Sequence, residues 1–390
     1  MAGLTVKIET NIIDWLMQKI EGENPSSSIF EILNQWKSGE KKPTFNQVKE
    51  LSKKTNIPLG YFFLETPPIE ECKVVEYRTV DSLNAQNLSR NLIDTVDHML
   101  NIQEWMRNYL IENGYGQLEF VGLGNGLDNP MIIANSIRKI LGLDIEWYKE
   151  SKSIDESYKR LRSTSEKSGI LVMMNGIVGS NTHRPLNIRE FRAFTLIDNY
   201  APLIFINTND TDGGKVFSLL HEVAHIWLGV NDFYNDQYGI ASKVNTTEKI
   251  CNAVAAEILV PHDIFIELWN QSNVEHINKI EEIAKIFKCS RSVVARRALD
   301  MKFITNVQYS IIIEECITQY EIWIEGKKTK KSSGGNYYST MASRIDPRFM
   351  NALASSAREG RTQYTEVYRL TNTNRTTFDK LINRGGGVLW

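Results

Sequence analysis

The stretch Phe217-Ser-Leu-Leu-His-Glu-Val-Ala-His-Ile-Trp-Leu-Gly229 is the most informative part of the chain. Its apolar residues predict a largely buried helix into which three polar side chains are set, those of His221, Glu222 and His225. The two imidazoles lie one turn apart on the same face, where they can bind one metal ion with Glu222 beside them. Without partners, burial of these groups would be costly, so we predict Zn2+ as the cofactor. The alternative is a buried helix whose histidines hydrogen-bond to carbonyl groups.

A third metal ligand is expected downstream, because zinc in a hydrolytic site takes three protein ligands and leaves one position for water. The segment Thr246–Pro261 predicts a second helix that ends before the proline, and it carries Glu248 and Glu257. At 3.6 residues per turn these glutamates face opposite sides, so only one can face the metal. Spacing slightly favours Glu248, with Asn252 one turn away as a hydrogen-bond partner. The alternative makes Glu248 a first-turn carboxylate favoured by the helix dipole and Glu257 an exposed surface charge.

Length and composition indicate a globular protein of two or three domains. The chain has 390 residues and a formal net charge of -2, which gives no overall attraction to nucleic acid or to an anionic membrane. Its four cysteines include no C-x-x-C pair, so neither a disulfide framework nor a cysteine zinc site is indicated. No apolar run is long enough to span a bilayer, and the N-terminus lacks a signal-peptide pattern. We therefore predict a cytoplasmic protein without a membrane partner.

The fold class that the periodicity predicts is α+β and mainly helical. Three short strands are expected before the metal helix, over 170–174, 191–196 and 203–207. Helical spacing covers most of the remaining chain, including a long helix over 89–112 and another over 310–325. A small sheet directly followed by a metal-binding helix is the arrangement of a zincin-like core.

Three motifs together resemble the ImmA/IrrE family of metallopeptidases. They are the helix Phe217–Gly229, the sequence Glu248-Lys-Ile-Cys-Asn252, and the sequence Ala255-Ala-Glu-Ile-Leu-Val-Pro261. The resemblance extends upstream through the strand Pro202-Leu-Ile-Phe-Ile-Asn207 and covers roughly residues 169–261.

The resemblance implies a role for each polar residue of the metal region. It makes His221, His225 and Glu248 the zinc ligands and Glu222 the general base that activates water. Glu257 matches a variable position of the family. In a zincin-like core, the strand nearest the cleft holds an extended peptide by its free backbone groups, but the sequence does not say which strand this is.

We predict six segments in the chain. They are a helical XRE-like block over 1–68, a helical connecting region over 69–168 with a short extended segment at 74–80, a zincin-like metallopeptidase core over 169–265, a helix-turn-helix-like region over 266–326, a linker over 327–335 and a C-terminal helical domain over 336–390. The linker prediction rests on its lysine, serine and glycine content.

Two segments have the helical pattern and the basic residues of helix-turn-helix domains that bind DNA. Residues 33–58 resemble the latter half of XRE-type helix-turn-helix domains, and residues 280–305 predict two helices joined by a Cys289-Ser290 turn. Lysines in the first and Arg291, Arg296 and Arg297 in the second could meet phosphates. Solvated charged faces and the docking of a partner protein explain the same residues, so DNA contact stays open.

The family resemblance implies a function. Its characterised members are intracellular proteases that cleave XRE-type repressors and thereby switch on stress genes, prophages or mobile elements. We predict a zinc metalloendopeptidase that cleaves or controls such a repressor. One alternative is a toxin or phage-defence effector protease whose partner is an XRE-type antitoxin, and another is a DNA-associated regulator with a structural metal site.

Overall fold

The structure is a computed structural model that describes residues 4–21, 27–68, 88–230, 232–234, 246–271, 274–329 and 336–384. The extended segment predicted at 74–80 and residues 330–335 of the predicted linker lie outside these ranges. The chain divides into two compact units, Met1–Asp97 and His98–Trp390.

The first unit is built from short helices, as the sequence predicts. Their bounds are Thr10–Glu21 (α1), Ser27–Lys37 (α2), Phe45–Thr55 (α3) and a 3-10 helix at Leu59–Phe63. Thr44 starts α3 through a capping box with Gln47, and Asn56 ends it in the left-handed conformation with φ 55°. The apolar faces form one buried core that includes Leu16, Leu33, Val48 and Phe62.

Three helices precede the sheet, and the first of them matches the long helix predicted over 89–112. They are Arg90–Glu112 (α4), Pro130–Leu141 (α5) and Ile154–Ser168 (α6). Asn129 and Ser153 cap the starts of α5 and α6 with their side chains. Gly142 and Gly169 end these helices at positive φ, where a side chain would be strained.

A four-stranded sheet lies beside the metal helix in the order β1-β5-β4-β6. Its strands are Leu171–Asn175 (β1), Ala193–Leu196 (β4), Leu203–Asn207 (β5) and Asp232–Tyr234 (β6), and a separate hairpin is formed by Ile177–Val178 (β2) and Asn181–Pro185 (β3). β1 runs parallel to β5, whereas β4 is antiparallel to both of its neighbours. The three predicted strands are present. The other three are too short or too polar for an alternating pattern to reveal them.

From residue 212 to residue 329 the second unit, His98–Trp390, is mainly helical. Its helices are Asp212–Leu228 (α7), Thr246–Leu259 (α8), His262–Gln271 (α9), His276–Phe287 (α10), Arg291–Asp300 (α11) and Asn306–Thr329 (α12). A core of apolar side chains from α5 to α12 and the sheet surrounds α7. The α12 helix continues through residues 327–329, which the sequence assigned to a linker, because lysines are good helix formers. No helix in the described ranges is long and apolar enough to cross a membrane.

Four C-terminal helices pack on the edge of the sheet. They are Tyr337–Arg344 (α13), Pro347–Arg358 (α14), Tyr364–Thr371 (α15) and Arg375–Arg384 (α16). Oδ2 of the buried Asp346 accepts a hydrogen bond from the backbone N–H of Val172 at 3.1 Å, and its Oδ1 caps α14. Arg162 on α6 donates to the carbonyl oxygens of Ser343 at 2.6 Å and Ile345 at 3.3 Å. The C-terminal region is therefore bonded directly to β1 and α6.

Candidate metal centre

Two helices bring the three predicted ligands together. His221 and His225 are fully buried on α7, and their Nε2 atoms are 3.0 Å apart. Glu248, on the first turn of α8, places Oε2 at 3.2 Å from Nε2 of His221 and Oε1 at 3.0 Å from Nε2 of His225. Within the described ranges these residues form a group that could hold a metal ion.

The donor set fits zinc. Imidazole nitrogen and carboxylate oxygen are ligands that zinc prefers, and tetrahedral ligands at about 2.1 Å from the ion lie about 3.4 Å from one another. The distances of 3.0 and 3.2 Å in the cluster are close to that spacing. The side chain of Glu248 is 19% exposed, so solvent reaches this side of the cluster. A ligand set of three with solvent access is typical of a catalytic rather than a structural zinc site.

The local sequence explains the position of each histidine. Thr211 caps the start of α7, and Gly229 ends the helix at φ 71°, so the two histidines lie in its regular C-terminal half. The α7 and α8 helices pack against each other, and Cys251, Val254 and Ala255 of α8 are completely buried. This packing brings the first turn of α8 beside the imidazoles.

The surroundings shift the pKa values of the two histidines in opposite directions. Burial acts to lower the pKa of His225, but Cys251 and Glu248 raise it well above its usual value. Burial lowers the pKa of His221, although Glu248 and Asn252 act in the opposite direction. Burial also raises the pKa of the Cys251 thiol, which lies beside His225 and so keeps its proton. Asn252 was predicted as a partner of Glu248, whereas the structure places its amide beside His221.

Glu222 is held by a residue that the sequence analysis did not identify. The carboxylate is fully buried, and its Oε2 accepts a hydrogen bond from the hydroxyl of Thr195 on β4. The same hydroxyl lies 3.3 Å from the backbone carbonyl oxygen of Glu222. A threonine between apolar residues of a fully buried strand was the available signal, because a buried hydroxyl needs a partner.

The strand nearest to Glu222 has no open edge. β4, which carries Thr195, pairs with β5 on one side and with β6 on the other. β4 is therefore not the strand that could hold a peptide by free backbone groups, and the sequence did not say which strand this is. In this sheet the outer strands are β1 and β6.

Glu257 is not the exposed surface charge that one alternative assumed. It is buried, pairs with Arg297, and lies 3.8 Å from Nη2 of Arg138. Arg138 also donates to the backbone carbonyl of Glu257, and Arg297 donates to that of Val260. A buried carboxylate is stable here because two guanidinium groups surround it.

The arginines of α11 have acceptors within the protein. Besides the bond between Arg297 and Glu257, Arg296 lies 3.0 Å from Asp300, and Arg291 lies 3.7 Å from Glu315. These bonds favour the interpretation of α10 and α11 as a packed helical pair. Contact of either helical region with DNA stays a prediction.

Comparison with known families identifies two segments. Residues 165–299 match the model of a peptidase family described as the IrrE N-terminal-like domain, and residues 345–384 match a domain of unknown function (DUF8813). No curated protein and no solved structure matches the chain. The first segment contains β1 to β6, α7 to α10 and all but the last residue of α11, and hence the entire histidine and glutamate cluster.

The family match and the cluster together indicate that this chain contains a metallopeptidase domain of the IrrE/ImmA type. The segment 165–299 is its IrrE N-terminal-like domain, as the sequence motifs predicted. The XRE-like character of the N-terminal block is not confirmed by these matches.

Proposed function

We propose that this protein is a zinc-dependent endopeptidase that cleaves a helix-turn-helix regulator of the XRE type. The proposal rests chiefly on the cluster of His221, His225 and Glu248 beside the buried carboxylate of Glu222: the two Nε2 atoms lie 3.0 Å apart, and each lies within 3.2 Å of one oxygen of Glu248. The regulator as substrate rests on the family resemblance, because members of the family that are characterised act on such repressors. Cleavage would then switch on a stress, prophage or mobile-element response.

The residues divide the chemistry between them. His221, His225 and Glu248 would hold the ion, and bound zinc acts as a Lewis acid that activates water and polarises the scissile carbonyl. Glu222 takes the proton from the attacking water and returns it to the leaving amine as the peptide bond breaks. Thr195 orients this carboxylate through Oε2, so its own role is positioning.

The decisive experiment compares the parent with Glu222→Gln. The purified proteins are incubated with an XRE-type regulator from the same genome, and cleavage is followed by intact-mass spectrometry. We expect the variant to keep its zinc, because Glu222 is not one of the three ligands, and to lose cleavage by about a thousandfold or more. Glu282→Gln makes the same chemical change at an exposed position of α10 and serves as the matched control.

Three outcomes separate the functions considered for this protein. Cleavage of the regulator by the parent alone supports the proposal. Equal proteolysis by the parent and Glu222→Gln contradicts the proposed role of Glu222 as the general base. A regulator that is bound tightly, stays intact, and blocks cleavage of other proteins indicates an antitoxin and an effector protease instead.

A further inference from the structure

A cavity of about 740 Å³ adjoins the metal cluster within the second unit. Its walls come from α7, α8, α11 and α12. Phe217 and Asn252 line it. The ring centroids of Phe217 and His221 are 6.2 Å apart, and the amide of Asn252 lies beside the same histidine. Lys249, which follows the ligand Glu248 in the chain, also lines it. The cavity therefore lies close to the metal cluster, with Phe217, Asn252 and Lys249 between the two.

The cavity lining is strongly basic. It contains five cationic side chains and one acidic side chain, namely Arg192, Lys249, Arg291, Arg296, Arg297 and Asp300. Arg192 is neutralised by the buried Asp210 at 2.5 Å, and Arg297 by Glu257. Lys249 is exposed, and no carboxylate of the described ranges forms an ion pair with it. The Arg296 side chain is 48% exposed, and its pair with Asp300 is a surface pair, which contributes little and exchanges readily.

Two helices also begin at this cavity. Gly213 and Gly214 come from the first turn of α7, and Ser290 and Ser292 from the start of α11. The N-cap residue Ser290 makes no side-chain capping bond, because its hydroxyl is paired with that of Ser292 at 2.9 Å. Backbone N–H groups at a helix start attract negative charge.

A buried hydroxyl in the wall supports a polar ligand independently. Ser218 is 1% exposed, and its Oγ has no hydrogen-bond partner among the described residues, yet it lines the cavity. A buried hydroxyl without a partner costs about 1–3 kcal/mol, so a ligand that bonds to it would recover this energy. The cavity thus offers a hydroxyl donor in addition to positive charge.

The size of the cavity limits what fills it. A volume of about 740 Å³ lies in the range of roughly 300–1,000 Å³ that suits a ligand larger than one side chain. We propose that this cavity binds an acidic segment of the substrate polypeptide, so that cleavage occurs next to aspartate or glutamate residues. The inference rests on the proposed peptidase function and names the class of sequence that the enzyme selects.

The test uses zinc-loaded full-length protein and pairs of peptides from the cleaved region of the regulator. The two members of a pair differ only by replacement of each Asp by Asn and each Glu by Gln. We expect kcat/KM to be at least about tenfold higher for the acidic peptide, and the ratio to fall as salt is raised. In Lys249→Glu combined with Arg296→Glu, we expect the ratio to fall to one or below while zinc content is kept. Lys139→Glu combined with Lys152→Glu makes the same total charge change at two exposed positions outside the cavity and should keep the ratio.

The failures of the two proposals are distinguishable. If the zinc-loaded parent cuts neither peptide of any pair nor the intact regulator, the peptidase function fails. If it cuts both members of each pair at equal rates, the function stands and the acidic preference is wrong. If the doubly substituted protein keeps the parent's preference, the charge of this cavity does not select the substrate.

Discussion

Glu248 and Glu257 lie on the same helix, α8, and each meets two basic side chains, but the two sites differ in kind. Glu248 meets two imidazoles at 3.0 and 3.2 Å and is partly exposed. Glu257 meets two guanidinium groups, those of Arg138 and Arg297, and is buried. Arginine is always charged, so Glu257 already has two cationic partners, whereas an imidazole must be neutral to bind zinc, so the metal ion itself would be the cation beside Glu248. The chemistry of the partners therefore separates a metal site from a structural ion-pair network.

The first prediction concerns the metal end of α8. Glu248→Ala should lose zinc and lower peptide cleavage by about a thousandfold or more, because two histidines alone cannot hold the ion in place. Metal content by elemental mass spectrometry and kcat/KM on the regulator check both effects. If this variant binds zinc with the parent's stoichiometry and affinity, Glu248 is not a zinc ligand, and the two glutamates do not differ in the way described above.

The second prediction concerns the structural end. Glu257→Gln should destabilise the second unit by about 3–5 kcal/mol, because Arg138 and Arg297 would remain buried without a carboxylate. The midpoint of urea unfolding, followed by tryptophan fluorescence, should move to lower urea, while zinc bound per folded molecule stays the same. Loss of zinc at an unchanged midpoint would mean that the roles of Glu248 and Glu257 are reversed.

A smaller effect is expected at Thr195, which links the sheet to the metal helix. Thr195→Val removes the hydrogen bond to Glu222 with little change of shape, and kcat should fall about 10- to 100-fold, the range for residues that orient a functional group. KM and zinc content should not change, and Thr195→Ser should recover most of the activity. An equal loss in the serine variant would indicate that packing of the strand, and not orientation of the carboxylate, is responsible.

The sequence predicted the elements that carry a regular pattern. The metal helix, α8, and the strands β1, β4 and β5 have clear periodicity or motifs, and the structure contains all of them. The environment of Glu257 was not predictable, because Arg138 is 119 residues away in the chain and only folding brings it near. Thr195 was missed for the same reason, since its partner Glu222 lies 27 residues further on. Strand β6 was missed because three residues show no alternation.

The hydrogen bond between Asp346 and Val172 has a consequence for how the protein can be divided experimentally. The peptidase domain recognisable by family comparison ends at residue 299, yet its first strand is bonded to a carboxylate from the segment 345–384. A chain shortened to the recognisable domain would present an uncapped strand edge, and Arg162 would lose two carbonyl acceptors. We therefore expect the smallest piece that folds on its own to be larger than the piece that the family match detects, and truncations should keep the C-terminal helices.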